Sequence, residues 1–412
     1  MHRFGFFSQF YRDLRTHKLR SFLTLFGITW GTVAVVLLLA FGTGLQRQSL
    51  KSMHGMGERI VILFPQRTTK PYQGMGIGRP IRLTDEDAWL LQREIPEMEA
   101  VTPEYGRWGV KLKYKDKASN TRISGVYPVY EELRNTFPRR GGRFIDPLDI
   151  QMKRRVIFLG NETAKKLFGE GEAVGKTITV NGVPFIVVGV LKEKMQSSSY
   201  YGSDSRAGFI PATTFTSMFG HRYVNNILYR PKDTALSKQI SKKVYQVLAK
   251  RHRFDPEDKD ALRMWDTTEF DKFVFYMFLG LNLLLGVGGV FTLVVGGIGV
   301  ANIMYIVIRE RTREIGIKMA IGAKKSHILS QFILETLLIV ATGGTIGFLF
   351  SLLIVKIASL LPIKQYIGTP VVSPPVAGIT ILVLGTVGFV AGYFPARRAA
   401  TLNPVQALVL GE

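Results

Sequence analysis

The chain of 412 residues contains no cysteine, which removes disulfide bonds, thiolate metal sites and cysteine nucleophiles at once. Histidine is sparse: the six residues at positions 2, 17, 54, 221, 252 and 327 show neither the i, i+4 nor the HExxH spacing of a metal site. No GxSxG nucleophile elbow occurs. A nucleotide-binding P-loop is also missing. The nearest approach, Gly171-Glu-Ala-Val-Gly175-Lys176-Thr177, has three residues between its glycines where the phosphate-wrapping loop needs four. It also follows a predicted helix and precedes a predicted strand, the reverse of the P-loop order, so it reads as a helix-to-strand turn. No catalytic, cofactor-binding or metal-binding residue is expected on this chain.

Acidic residues are scarce too, 31 against 54 Lys and Arg, for a net charge of +23. A nucleic-acid binder would gather such charge on a folded groove or arm. Here many basic residues flank apolar runs, so membrane topology explains them better and no nucleic-acid partner is expected. The mean hydropathy is positive, +0.14, although 21% of residues are charged. Very apolar stretches must therefore alternate with an ordinary polar domain.

A spanning helix needs about 20 mostly apolar residues. Four segments qualify: 21–45, 273–308, 328–361 and 375–396. The first follows Arg12, Arg15, Lys18 and Arg20 as a signal peptide would. Its uncharged run exceeds the roughly 7 to 15 residues of a signal and no clear cleavage site follows, so it reads as a retained helix. The second and third are longer than a bilayer requires, and projection beyond it is expected for the second.

Lys and Arg mark the cytoplasmic side. They crowd the amphipathic N-terminal segment 1–20, the 309–327 loop (Arg309, Arg311, Arg313, Lys318, Lys324, Lys325) and the 397–412 tail (Arg397, Arg398), whereas the 362–374 loop holds only Lys364. Residues 46–272 are thereby placed outside the membrane.

The expected fold is a four-helix transmembrane domain with an α+β extracytoplasmic domain inserted between helices one and two. Within 46–272, strands are expected at Glu58–Phe64, Trp108–Tyr114, Thr121–Val126, Arg155–Leu159 and Asn226–Tyr229. Thr84 followed by three acids signals a capped helix running to Ile95. Lys176–Val180 and Val183–Leu191 flank Asn181-Gly182, a strong hairpin signal. Leu236, Ile240, Val244 and Leu248 describe an amphipathic helix. Ser197–Gly202 is expected to be a mobile loop tip.

Three blocks resemble the MacB/FtsX-type ABC-transporter permeases. They are Lys18 to Gly31, then Gly296 to Met304 continuing through Arg309-Glu-Arg-Thr-Arg-Glu-Ile-Gly-Ile-Lys-Met-Ala-Ile-Gly-Ala323, and Gly392-Tyr-Phe-Pro-Ala-Arg-Arg-Ala399 with Asn403-Pro404 and Ala407-Leu408. Gly142-Arg143-Phe144, Leu167-Phe168-Gly169 and Val188-Gly189-Val190 resemble the family's periplasmic core. The resemblance implies an inner-membrane permease whose outer domain moves when a separate ABC-type ATPase, carrying ATP and Mg, hydrolyses nucleotide. It also implies a second permease copy, and it brings a periplasmic adaptor and outer-membrane channel into consideration. Efflux of toxins or antibiotics leads, beside lipoprotein release and FtsX-like control of a cell-wall hydrolase.

Under that resemblance the Arg309–Ala323 segment reads as the piece that grips the ATPase. Ile315 and Met319, an i, i+4 pair, are expected as apolar anchors, with Glu310, Arg311, Arg313 and Glu314 setting the electrostatic register. The competing reading is an amphipathic helix on the lipid surface. Gly27, Gly31, Gly289, Gly296, Gly297 and Gly299 are candidates for close helix packing or a dimer seam, which residue type cannot separate. Glu335 stands inside the third apolar segment, close enough to Lys324, Lys325 or water for a structural role to be expected.

Overall fold

The computed structural model describes residues 18–361 and 368–402. Arg3, Arg12 and Arg15, Lys364, and the Asn403-Pro404 and Ala407-Leu408 motifs lie outside the described residues. Two compact units result, one comprising Ser49–Val274 and the other Met1–Gln48 with Phe275–Glu412.

The helical unit is built on four helices long and apolar enough to cross a membrane: α1 (Lys18–His54), α8 (Thr267–Glu310), α10 (Lys325–Leu360) and α11 (Pro374–Ala400). Helix α1 runs past the expected limit at residue 45 because nothing in Gln46–His54 breaks it; Gly55 and then Gly57, at φ +128°, do. Helix α8 has 44 residues, about 66 Å at 1.5 Å per residue and more than twice the hydrocarbon thickness.

Lipid offers no hydrophobic force to draw these helices together, so packing rests on backbone approach at small residues. A Cβ on Gly27 would sit 3.7 Å from Gly296 Cα, one on Gly31 would meet Leu293, and one on Gly289 would meet Val35. Gly343 and Gly347 set α10 against Ile28, Thr29 and Thr32 of α1, where the Thr29 hydroxyl donates to the Gly343 carbonyl at 3.1 Å. Gly388 and Gly392 set α11 against Val340 and Thr336.

The other unit carries a nine-stranded sheet: β1 (Val61–Pro65), β2 (Met98–Tyr114), β3 (Lys117–Val126), β4 (Val156–Leu159), β5 (Thr177–Val180), β6 (Val183–Val190), β7 (Ala207–Pro211), β8 (Asn226–Pro231) and β9 (Leu262–Asp266). Its order is β3-β7-β4-β6-β5-β2-β8-β1-β9, with β2 also paired to β3. Strand β2 is longer than its alternating part predicts. Met98 to Glu104 pair with β8, Tyr105 to Tyr114 pair with β3 across a register shift between Arg107 and Val110, and Leu112 and Lys113 also pair with β5. One strand thus belongs to two sheet segments, pairing with β8 in one and with β3 and β5 in the other.

Helix α2 (Asp85–Glu94) starts at a Thr84/Asp87 capping box, as expected. Its acids do more than complement the helix dipole. Asp85 accepts from the Tyr105 and Tyr127 hydroxyls, while buried Asp87 pairs with Arg251 at 2.7 Å and His252 at 2.9 Å of α7 (Ser237–His252). The other short helices are α3 (Tyr130–Leu133), α4 (Pro147–Gln151), α5 (Asn161–Phe168) and α6 (Ala212–Phe219). The Gly171–Lys176 stretch is the turn from α5 into β5, with Lys176 over the Phe168 ring. Asn181 and Gly182, at φ +46° and +86°, make the β5–β6 hairpin turn.

The expectation of a mobile tip at Ser197–Gly202 is corrected. Tyr200 sends its hydroxyl inward to Glu104, its ring lies 4.7 Å from the Arg134 guanidinium, and Tyr201 packs on Trp108 with ring centroids 4.9 Å apart. Two buried carboxylates anchor this loop. Glu104 also accepts from Ser124, Tyr130 and Asn226 at 2.9–3.1 Å, and Asp204 accepts from Arg134 at 2.8 Å and Lys194 at 2.9 Å. Swinging Tyr200 outward would cost its hydrogen bond to the interior Glu104 carboxylate.

Candidate coupling site between the second and third long helices

The sheet domain lies in the chain between the first and second long helices, and the segment expected on the cytoplasmic side is the link between the second and third. That link folds as α9 (Thr312–Ala320). Nine residues are too few to span. Arg311, with φ −98° and ψ 14°, separates α9 from α8, and Gly322 at φ +99° turns the chain toward α10.

Helix α9 has two faces. The buried stripe of α8, Val300, Met304 and Ile308, continues through Ile315 into the core formed with Ile28, Ile328 and Phe332, and half-buried Met319 packs against it. Steps of three and four residues keep that stripe on one side across the junction. This corrects the expected anchor: Ile315, 3% exposed, faces its own bundle and is not offered to a partner. The apolar side chains that α9 and its exit present outward are Ile317, 47% exposed, and Ile321, 81% exposed. The sequence carried a signal for this, since Ile315 stands seven residues after Ile308 and shares its face.

The charged members divide likewise. Glu310 and Arg313 are exposed, and half-buried Glu314 holds Lys318 at 2.8 Å along the helix. Arg311 turns inward, its Nη1 lying 3.5 Å from Glu335 Oε2. Glu335 is therefore paired across helices with Arg311 rather than with Lys324 or Lys325, both of which are exposed. Of the six glycines singled out, five meet helices of their own chain, Gly297 doing so at Val387, and Gly299 has no atom within 4 Å among the described residues. No group of three or more metal-binding side chains occurs among the described residues.

The two units and the segment between the second and third long helices define a multi-pass permease with a large extracytoplasmic domain. Residues 21–247 match the MacB-like periplasmic core domain family and residues 271–404 the FtsX-like permease C-terminal family. The chain belongs to the MacB/FtsX family of ABC-transporter permeases, multi-pass proteins of the inner membrane with a periplasmic core domain.

It is similar to the macrolide export ATP-binding/permease protein MacB of Bdellovibrio bacteriovorus, 32% identical over 408 residues covering 97% of this chain and 61% of that protein. It is also similar to the protein of that name from Rhodospirillum rubrum, 34% identical over 404 residues covering 96% and 59%. The chain thus spans about three fifths of the length of these curated relatives. The periplasmic region of MacB from Actinobacillus actinomycetemcomitans aligns with a TM-score of 0.42 at 20% identity, over 54% of this chain and 94% of that one.

Proposed function

We propose that this chain is the permease of a MacB-type ABC exporter, gripped at α9 by an ATP-hydrolysing partner subunit whose cycle moves the outer domain. The observation that carries the reading is the two-faced geometry of α9. One face is committed to the bundle through Ile315 and Met319, while Ile317 and Ile321 stand exposed among Arg313, Lys324 and Lys325. An exposed apolar pair rimmed by charge fits a groove on another protein, the apolar side chains as anchors and the charges as register.

In this reading the permease performs no chemistry; ATP and Mg sit on the partner. A second permease copy completes the membrane unit, and a periplasmic adaptor with an outer-membrane channel carries the cargo onward. The cargo is a toxin, antibiotic or envelope substrate taken up outside the inner membrane. Support for that comes from the spans, whose few polar groups, among them Asn282, Asn302 and Glu335, suit no hydrophilic pore.

The test is co-purification of the ATPase with full-length Ile317→Asp and Ile321→Asp chains at equal membrane abundance. A carboxylate at a desolvated hot spot costs about 2 kcal/mol or more, so retention should fall by at least roughly tenfold. Unchanged retention would make α9 a lipid-surface helix and remove the reading. Ile315→Asp, by contrast, places a charge in the bundle core and should reduce accumulation of the permease itself.

A further inference from the structure

We propose that Arg311 and Glu335 are positioning residues, a buried cross-helix strut that fixes α9 against α10 so that displacement of α9 is carried into the bundle. The inference rests on the reading of α9 as the ATPase-gripped site and adds what makes that site stiff.

Backbone hydrogen bonds of 3.0 Å reach from Arg311 back to Val307 and from Ile315 back to Arg311, but the non-helical ψ of Arg311 and the Gly322 turn leave the direction of α9 to be fixed by side-chain contacts. The contacts of Ile315 and Met319 are apolar, and such contacts lack direction and permit sliding. The ion pair differs. Its side chains are 13% and 8% exposed, with Nη1 and Oε2 3.5 Å apart. Glu335 is ten residues beyond Lys325, about 15 Å along the helix axis. Charges withdrawn from water are offset by their mutual attraction only while they stay together, so separating them is penalised steeply. Arg311 caps α9 and Glu335 lies within α10, so the pair ties the root of the gripped segment to a spanning helix.

The full chain with its partner ATPase, reconstituted in nanodiscs, provides the test. Glu335→Gln and Arg311→Gln are compared with wild type and with the exchanged pair Arg311→Glu/Glu335→Arg, at equal folded fraction. Two quantities are read: ATPase retained with its hydrolysis rate, and the ATP-dependent change in amide hydrogen exchange over residues 49–274. Glu335→Gln should keep the ATPase and its hydrolysis within about twofold while the ATP-dependent exchange difference shrinks roughly tenfold, Arg311→Gln should shrink that difference to the same extent, and the exchanged pair should restore part of it. A wild-type exchange difference in both single variants overturns the strut, as does an exchanged pair that assembles but restores nothing. Should one single variant fail to accumulate, the other together with the exchanged pair decides. Failure of the underlying reading would show elsewhere, in Ile321→Asp retaining the ATPase.

Discussion

Removing the Asp204 carboxylate should be among the most damaging single changes in the outer domain. Asp204 is fully buried and faces two cations, accepting from Arg134 Nη2 at 2.8 and 3.0 Å and from Lys194 Nζ at 2.9 Å. Arg134 is itself 1% exposed and donates to the Met56 carbonyl. Asp204→Asn keeps the volume but strands the buried Arg134 and the half-buried Lys194, a change that costs about 3–5 kcal/mol when one partner of a buried ion pair is lost. That is a large fraction of the roughly 5–15 kcal/mol that holds a domain together. For a domain of this size it corresponds to a melting point roughly 6–20 °C lower.

The assay is thermal unfolding of the full-length chain in detergent, followed by near-ultraviolet circular dichroism. The reasoning also predicts non-additivity. Lys194→Met added to Asp204→Asn removes one stranded cation, so the double variant should be more stable than Asp204→Asn alone. A loss below about 1 kcal/mol for Asp204→Asn, in the range of an exposed pair, would refute this account. So would a double variant destabilised by the sum of its parts.

Acid should weaken the same domain. Burial pushes the carboxyls of Asp87, Asp149 and Asp204 upward, but their partners outweigh it and hold all three below the ordinary range: His252 and Arg251, Arg143 and Arg154, and Arg134 and Lys194 respectively. A carboxyl depressed in the folded state contributes stability above its unfolded value of about 3.9 and loses it as pH falls through the lower folded value. Unfolding midpoints should thus hold above about pH 3.9 and fall as pH drops from there through the folded values, and a flat profile would refute the assignment. In the helical unit, Gly347→Leu should prevent folded accumulation, because its Cβ would stand 2.6 Å from the Thr29 carbonyl oxygen. At Gly299 an added Cβ would meet nothing within 4 Å, so Gly299→Ala should leave accumulation near wild type, as judged by size exclusion of detergent extracts.

Local chemistry made much of the fold legible. The four apolar runs mark the helices because bilayer thickness sets a length that composition reveals. Thr84 with Asp87, and Asn181-Gly182, specify their cap and turn through groups a few residues apart. The end of α1 was missed because the polar stretch Gln46–His54 contains no breaker, and a helix supported by tertiary packing continues until one arrives. Ser197–Gly202, with Ser and Tyr in a row, looked like a loop tip, yet its Tyr200 reaches Glu104, about a hundred residues earlier in the chain.

At the candidate site the sequence by itself determined that a short, charged, partly apolar segment links two spanning helices. Spacing and composition suffice for that, since both are properties of neighbours along the chain. The seven-residue step from Ile308 to Ile315 points to the inward face of the segment, and tertiary structure fixed it, because the core that receives Ile315 is assembled from α1, α8, α10 and α11. The partners of Arg311, Asp204 and Glu104, and the sorting of the glycines into those that meet a helix of this chain and Gly299 that does not, were decided the same way. Each depends on groups brought together from distant parts of the sequence, and a buried charge or a close backbone approach has no local signature until the chain has folded around it.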